Sequence, residues 1–426
     1  TPLYSSAASD VYKRQSLPLS NLRVIDFGTA WAGPMAAQLL GDLGAEVIKI
    51  ETRTRLDGLR LGRPIIGDEF AEGDRGLWPE LQPVFHGINR NKLSITLNLK
   101  TEQGIHLIQR LIAQSDLVMN NYSPGVLDRL GLDYSKLKLI KPDIICVSMP
   151  SVGETGPLRD ILAYAPIIQA LSGFMSLVGY NTDDPLVGEL QAPWSDAVAA
   201  MHAALAAVTA VKYRNKSGLG QSIEVSQLEA TTSMLGEAIL GYQMTNDIPK
   251  PSGNLDLEFC IHDNFPCKND DEWVALSVQT DSEWASFSTA IGSPQWIDSP
   301  NFADHISRIN NVDDLKNHVS KWTRQLSAAE ITDLMQSHGL AAMPVMNIAD
   351  QFSDPHLSER EFYVDIDHPE IGSEWIYGVP WRFSETPGRV NKPAPTLGQH
   401  NNYILSELLG LTPEHLTQLE LDSVVY

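Results

Sequence analysis

The stretch LRVIDFGTAWAGPMAAQLLGDLGAEVIKIE, residues 22–51, decides the fold. Its first six residues alternate like a strand and run into a turn bounded by Gly28 and Gly33. Pro34 then opens an apolar-periodic segment through Ala37, Leu40 and Leu43. Proline suits a first helical turn, because the N–H it lacks would have no partner there anyway. Gly44 stops the helix, and residues 45–50 read as a second strand closed by Glu51. Strand, glycine turn, helix and strand within about 30 residues make a βαβ unit, and such units build parallel sheets. The fold expected is α/β, with a Rossmann-like parallel sheet.

Outward from this unit the pattern recurs. Residues 93–97, 116–119, 144–148 and 222–225 read as strands, and 100–114, 164–175, 196–214 and 226–241 as helices, with Gly104 a blemish inside the first of them. Composition shifts after Thr245: residues 247–256 hold two prolines, a glycine and several Asp/Asn, as a linker does. A strand at 273–277 and helices at 284–291, 312–325 and 328–339 then suggest a smaller α/β domain. The apolar run 341–348 reads as the return to the first domain, and 400–409 as a closing helix. The expected organisation is a disordered or non-native tail over 1–16, a large Rossmann-like domain over 17–245, a linker and small α/β domain over 246–340, and a segment 341–426 that completes the large domain.

The 426 residues carry 31 Lys/Arg against 53 Asp/Glu, a net charge of −22, which excludes a broad nucleic-acid footprint. Cys146, Cys260 and Cys267 form no CxxC pair and read as reduced thiols, hence a cytoplasmic setting. There is no HExxH or paired-Cys zinc spacing, so no metal is expected. The longest apolar stretch, 197–211, is shorter than the roughly 20 residues a bilayer requires, and no membrane partner is expected.

The turn 28–34 sits where a dinucleotide fold binds pyrophosphate, at a helix N-terminus offering N–H groups, and Glu51 lies near the position of a ribose-binding acid. GTAWAGP is not GxGxxG, however, and Trp31 is bulky where backbone must approach phosphate. A tight turn, or a site for a nucleotide-like ligand other than NAD, fits better. Arg53, Arg55, Arg60 and Arg63 follow the second strand, and Arg90, Lys92, Lys100 and Arg129 lie near strand ends or early helix turns; an anionic ligand on so acidic a chain needs such islands. Asp183-Asp184-Pro185 reads by itself as a turn, Asp196 as a helix N-terminal acid, and His202 as a core histidine. Neither GxSxG nor a P-loop is present.

Taken together, the landmarks resemble the family III CoA-transferases, the formyl-CoA and carnitine-CoA transferase type. The matching segments are 22–51, NRNKLSITLNLKTEQG (89–104), NNYSPGVLDRLGLDY (120–134), GETGP (153–157), QALSGFMSLVGY (169–180), SGLGQSIEVSQLEA (217–230), AAMPVMNIADQFSDPHL (341–357) and TPGRVNKPAPTLGQHNNYILSELLGL (386–411). The resemblance implies a ring-like chain forming an interlocked homodimer, no permanently bound cofactor, and acyl-CoA and a small carboxylic acid as substrates. It also implies an aspartate nucleophile that forms a mixed anhydride and then an aspartyl-CoA thioester.

Carried over by motif, the CoA-contact positions fall on Trp31, Ala32, Leu97, Lys100, Asn121, Tyr122 and Arg129. The family's arginine after IKIE aligns with Thr52, so Arg53 stands in one position along. The nucleophile of the family lies three residues past the glycine matched by Gly179, where this chain has Thr182; Asp183, one residue later, is the candidate, with Asp184 or no nucleophile at all as alternatives. The last would make the chain a non-catalytic subunit of a heteromeric transferase. The family's racemase branch uses a His-Asp pair that here reads Tyr164-Ala165; only its later acid, at Asp196, matches, so a racemase or isomerase is disfavoured.

Overall fold

The computed structural model describes residues 17–61, 75–179, 193–256 and 258–426. Six strands, β1 (Arg23–Asp26), β2 (Glu46–Glu51), β3 (Lys92–Thr96), β4 (Leu117–Asn120), β5 (Ile145–Ser148) and β6 (Ser222–Glu224), form one sheet in the order β3-β2-β1-β4-β5-β6. Every pair in it is parallel. The chain winds one way from β1 to β3 and the other way from β4 to β6, so the order reverses between β1 and β4.

Successive side chains leave a strand on opposite faces, and the two cores follow that period. Val24, Val47, Leu117, Met119, Ile145 and Val147 pack on one face with the helices Ala32–Asp42 and Trp194–Ser217. Ile25, Ile48, Ile50, Ile95 and Val118 pack on the other with the helix Glu102–Ile112 and with Ile404, Leu405, Leu419 and Val424 from the end of the chain. Burial on both faces is why these strands read as apolar runs.

The helix Trp194–Ser217 has 24 residues and is long and apolar enough to cross a membrane by length and composition, which the shorter stretch read from the sequence is not. Its Ala199, Ala203, Ala207 and Ala210 lie buried against the first helix and the sheet, where small side chains let backbones approach. Met201, Leu205 and Tyr213 are at least half exposed. His202 is on that outer side too, bonded through Nδ1 to the Val198 carbonyl, and is not a core histidine.

The chain forms two compact units. The first draws on three stretches of chain, ending at Met175, Asn246 and Tyr426; the second is built on Asp247–Ser358. The second unit holds an antiparallel sheet of β7 (Ile261–Pro266), β8 (Trp273–Val278) and β9 (Ala341–Pro344), in that order. One correction follows: residues 341–344 do not return to the large unit but pair with β8, so the boundary lies beyond 340. Strand β7 lies past the 247–256 linker, where no element was expected. The core of this unit is Phe265, Val274, Leu276, Phe287, Leu315, Val319 and Ile331 with their neighbours. Reciprocal caps at Thr280/Glu283 and Ser327/Glu330 start its helices.

In the first unit, β10 (Tyr363–His368) and β11 (Gly372–Tyr377) make a hairpin. The segment read as a closing helix is a π-helical turn, Tyr403–Leu408. The helix read over 226–241 is three pieces, Gln227–Thr232, Ser233–Leu235 and Gly236–Thr245.

Candidate active site

Parallel strands place their carboxyl ends on one edge, and a ligand crevice forms where the strand order reverses. Here that reversal puts the turn after β1 beside the segment after β4. The two are tied directly: Asn121 Oδ1 accepts the Thr29 N–H at 2.9 Å, and Asn121 Nδ2 donates to the Thr29 carbonyl at 2.8 Å. A side chain that satisfies both backbone groups of one turn residue fixes the two loops as a single surface.

The turn itself is gripped from below. Asp26, last residue of β1, accepts the Gly28 N–H through Oδ1 at 2.7 Å and the Lys92 ammonium through Oδ2 at 2.8 Å. Gly28 has no room for a side chain, since a Cβ there would lie 2.7 Å from that same carboxylate and from the Gly33 backbone. Asp57 accepts the Ala30 N–H at 3.0 Å, and Asp196 accepts the Ala32 N–H at 3.2 Å.

The turn therefore does not offer a row of open N–H donors. Those of Gly28, Thr29, Ala30 and Ala32 are all taken, three of them by carboxylates, which argues against an NAD pyrophosphate cradle at this turn. Glu51 is not a ribose-binding acid either: it pairs with Arg60 and accepts from the Ser94 hydroxyl.

Several cations counted as candidate islands are consumed in the same way. Arg60 spans Glu51 and Glu80, Arg90 pairs with Asp42, and Lys92 with Asp26, all buried. Burial pushes the Lys92 ammonium down to about 8, with Asp26 pulling the other way. Arg53, Arg55, Lys100 and Arg129 are exposed at the carboxyl edge or on the helix just beyond it. Arg63 lies outside the described residues.

Each site residue expected from the sequence has a definite place, Asp183 excepted. Trp31 is half-buried at the start of the helix Ala32–Asp42. Ala32 and Leu97 are fully packed, so their side chains belong to the floor and not to an open surface. Asn121 and Tyr122 follow β4. Burial pushes the Tyr122 phenol up, and Lys49, Asp26, Arg55 and Asp57 all act on it, which sets it against the charged floor of the turn. Asp183 and Asp184 lie outside the described residues.

Asp196 is more than an acid in a helix's first turn. It bridges the helix Trp194–Ser217 to the N-terminus of the helix Ala32–Asp42, and burial lifts its carboxyl to about 6. Two contributors went unread in the sequence, Lys49 and Asp57. Lys49 stands in the apolar strand EVIKIE, and a lysine at an inward strand position, with an acid a few residues on, is the signal that marks such a buried pair.

A doubly wound sheet with a prepared crevice at its reversal defines a ligand-binding α/β protein. The chain belongs to the CoA-transferase family III, whose profile matches residues 19–401. It is 32% identical over 413 residues to succinyl-CoA–D-citramalate CoA-transferase of Chloroflexus aurantiacus, covering 97% of this chain and 99% of that one. It is 32% identical to the beta subunit of succinyl-CoA–L-malate CoA-transferase of the same organism, covering 96% of this chain and 98% of that one. A crystal structure of a CAIB/BAIF family protein from Brucella suis superposes with a TM-score of 0.83 at 28% identity, covering 92% of this chain and 100% of that one. The protein is a CoA-transferase and acts between an acyl-CoA and a carboxylic acid.

Proposed function

We propose that acyl-CoA docks at the crevice between the turn after β1 and the segment after β4, and that Asp183 is the nucleophile. The observation that carries the docking is the Asn121–Thr29 tie across the sheet's reversal, with Trp31 and Tyr122 beside it and with Arg53, Lys100 and Arg129 exposed on the same edge. Trp31, Asn121 and Tyr122 contact the coenzyme over the floor that Ala32 and Leu97 form, and the exposed cations meet its phosphates. No cofactor is held between turnovers.

The exchange of one thioester for another is nearly balanced in free energy, so only barriers need lowering. The Asp183 carboxylate attacks the thioester carbonyl and expels the CoA thiolate, leaving a mixed anhydride. The thiolate attacks the aspartyl carbonyl of that anhydride, giving aspartyl-CoA and releasing the donor acid. The acceptor carboxylate then attacks aspartyl-CoA, and the returning thiolate takes the acceptor's acyl group and frees Asp183. Backbone N–H donors hold each tetrahedral oxyanion. The names of the relatives support succinyl-CoA as donor and a four- or five-carbon hydroxydicarboxylate as acceptor.

The enzyme is cytoplasmic in this reading, which its three free thiols support. It works as an interlocked homodimer. Support comes from exposed apolar side chains on neighbouring helices of the first unit, Ile167, Leu171, Met201, Leu205 and Leu240.

Asp183→Ala is expected to abolish exchange, and hydroxylamine is expected to trap the natural protein at Asp183 during turnover, read by mass spectrometry. Undiminished turnover by the variant removes Asp183 from the mechanism. The relative named as a beta subunit favours one second reading, half of a heteromer with a homologous chain; exchange of labelled CoA by the purified chain alone dismisses it.

A further inference from the structure

Asp57 lies just before the short 3-10 turn Gly58–Arg60, with its side chain 3% exposed. Its Oδ1 accepts two backbone N–H groups, those of Ala30 and Leu59, each at 3.0 Å. Its Oδ2 accepts the Lys49 ammonium at 3.0 Å, and the same ammonium donates to the Gly28 carbonyl at 2.8 Å. One buried ion pair therefore holds the glycine turn on both sides of Thr29.

The residue it holds is conformationally unusual. Ala30 has φ 55°, in the left-handed region that L side chains rarely adopt. An alanine has no polar side chain with which to stabilise that bend locally, as Asn or Asp does. The hydrogen bond from outside, made by Asp57, supplies the restraint. Trp31 and Ala32 come next in the chain, so the direction in which they leave the turn is set at Ala30. The Lys49 ammonium beside it holds the Asp57 carboxyl below the usual carboxylate range, so the acceptor stays ionised while the site works.

We propose that Asp57 is a positioning residue for acyl-CoA: through the Ala30 N–H it locks the left-handed bend that presents Trp31 to the ligand. This rests on the reading that acyl-CoA docks at the glycine turn. A scaffold that fixes such a turn before the ligand arrives removes the ordering cost from binding.

Removing Asp57 alone would strand a buried lysine, so the test uses two double variants that share its removal. Lys49→Met/Asp57→Ala deletes both charges and the acceptor. Lys49→Met/Asp57→Asn deletes both charges but keeps an amide oxygen for Ala30 and Leu59. Calorimetric titration with coenzyme A is expected to show about tenfold or greater weakening for the first variant, since small misplacements at a docking surface are costly. The second is expected to return affinity to within about fivefold of the natural protein, because a neutral acceptor still makes the bond. The KM for the acceptor acid should stay level in both.

Equal affinity in the two variants overturns the role of Asp57 and leaves the docking reading standing. No heat from coenzyme A with the natural protein overturns both together. If neither variant folds, amide exchange on the natural protein decides. Peptides covering 28–33 are expected to be protected before coenzyme A is added; exchange at the rate of an open chain overturns the proposal.

Discussion

Asp196 is a carboxyl that the fold would hold more comfortably with its proton. Its pKa is lifted to about 6 from 3.8, chiefly by burial, with the Ala32 N–H opposing. The folded state thus binds this proton more tightly than the unfolded chain does. Stability from this group falls as pH rises from about 4 to about 6, and above that window the native state bears the whole cost, of the order of 3 kcal/mol. Asp196→Asn keeps an oxygen for the Ala32 N–H, so urea unfolding should show the variant gaining on the natural protein at pH 7.5 and losing that advantage at pH 4. A gap that is the same at both values means burial is not what shifts the group. Lys92 poses the opposite case. Its ammonium donates to Asp26, Pro34 and Asn89, all buried. Lys92→Met leaves Asp26 charged and half-partnered, and should lower stability by about 3–5 kcal/mol in chemical denaturation. At this scale the sequence shows residue types well and their use poorly. Arg60, Arg90 and Lys92 looked like ligand-binding cations because a charge on a strand end reads the same whether it faces solvent or a buried carboxylate from a distant segment.

The elements carry their own constraints. Gly104 looked like a flaw in a helix, and exchanging such a glycine for alanine ordinarily gains roughly 1 kcal/mol. Here a Cβ would sit 2.1 Å from the Asn98 carbonyl oxygen, because the Thr101 cap folds the preceding turn tightly over the helix start. Gly104→Ala should instead cost about 1–3 kcal/mol, as overpacking does, visible as a lower midpoint in thermal unfolding. The β10–β11 hairpin is docked on the helix Pro83–Asn89 by Tyr377, whose hydroxyl donates to Gly87, and by Glu374, which meets His86 Nδ1 at 2.8 Å. His368 stacks on His86 at 4.2 Å between ring centres. Burial, with the His86 ring beside it and Glu374 opposing, brings His368 down to about 4. The unfolded chain takes up this proton first, so the stability it guards is present above about pH 6.5 and drains away as pH falls towards 4, by roughly 3 kcal/mol. His368→Phe retains a ring for the stack and should flatten that acid limb. The strands of the large sheet were legible because alternation onto two buried faces leaves an unmistakable apolar signature. Strand β7, IHDNFP, was not: its inward positions are Ile261, Asp263 and Phe265, and the half-buried Asp263, paired with Lys316 of the helix Val312–Thr323, breaks the apolar signature.

For the whole molecule, the proposed interlocked dimer predicts a single sedimenting species of twice the chain mass that persists on dilution, because linked chains part only when one of them opens; a folded monomer appearing on dilution overturns it. The family was readable from many ordered motifs spread along the chain. The order of the strands and the buried ion pairs beneath the crevice depend on contacts between residues far apart in sequence and needed the structure. The discontinuity of the first unit has a further bearing, on biosynthesis. One face of its sheet is completed by Ile404, Leu405, Leu419 and Val424, and the Asn98 N–H is bonded to the Val424 carbonyl. A ribosome delivers those residues only after the whole insert from Asp247 to Ser358 has emerged. Throughout that interval Ile25, Ile48, Leu93 and Ile95 lack part of their cover, and apolar surface left open in this way makes a nascent chain prone to aggregation.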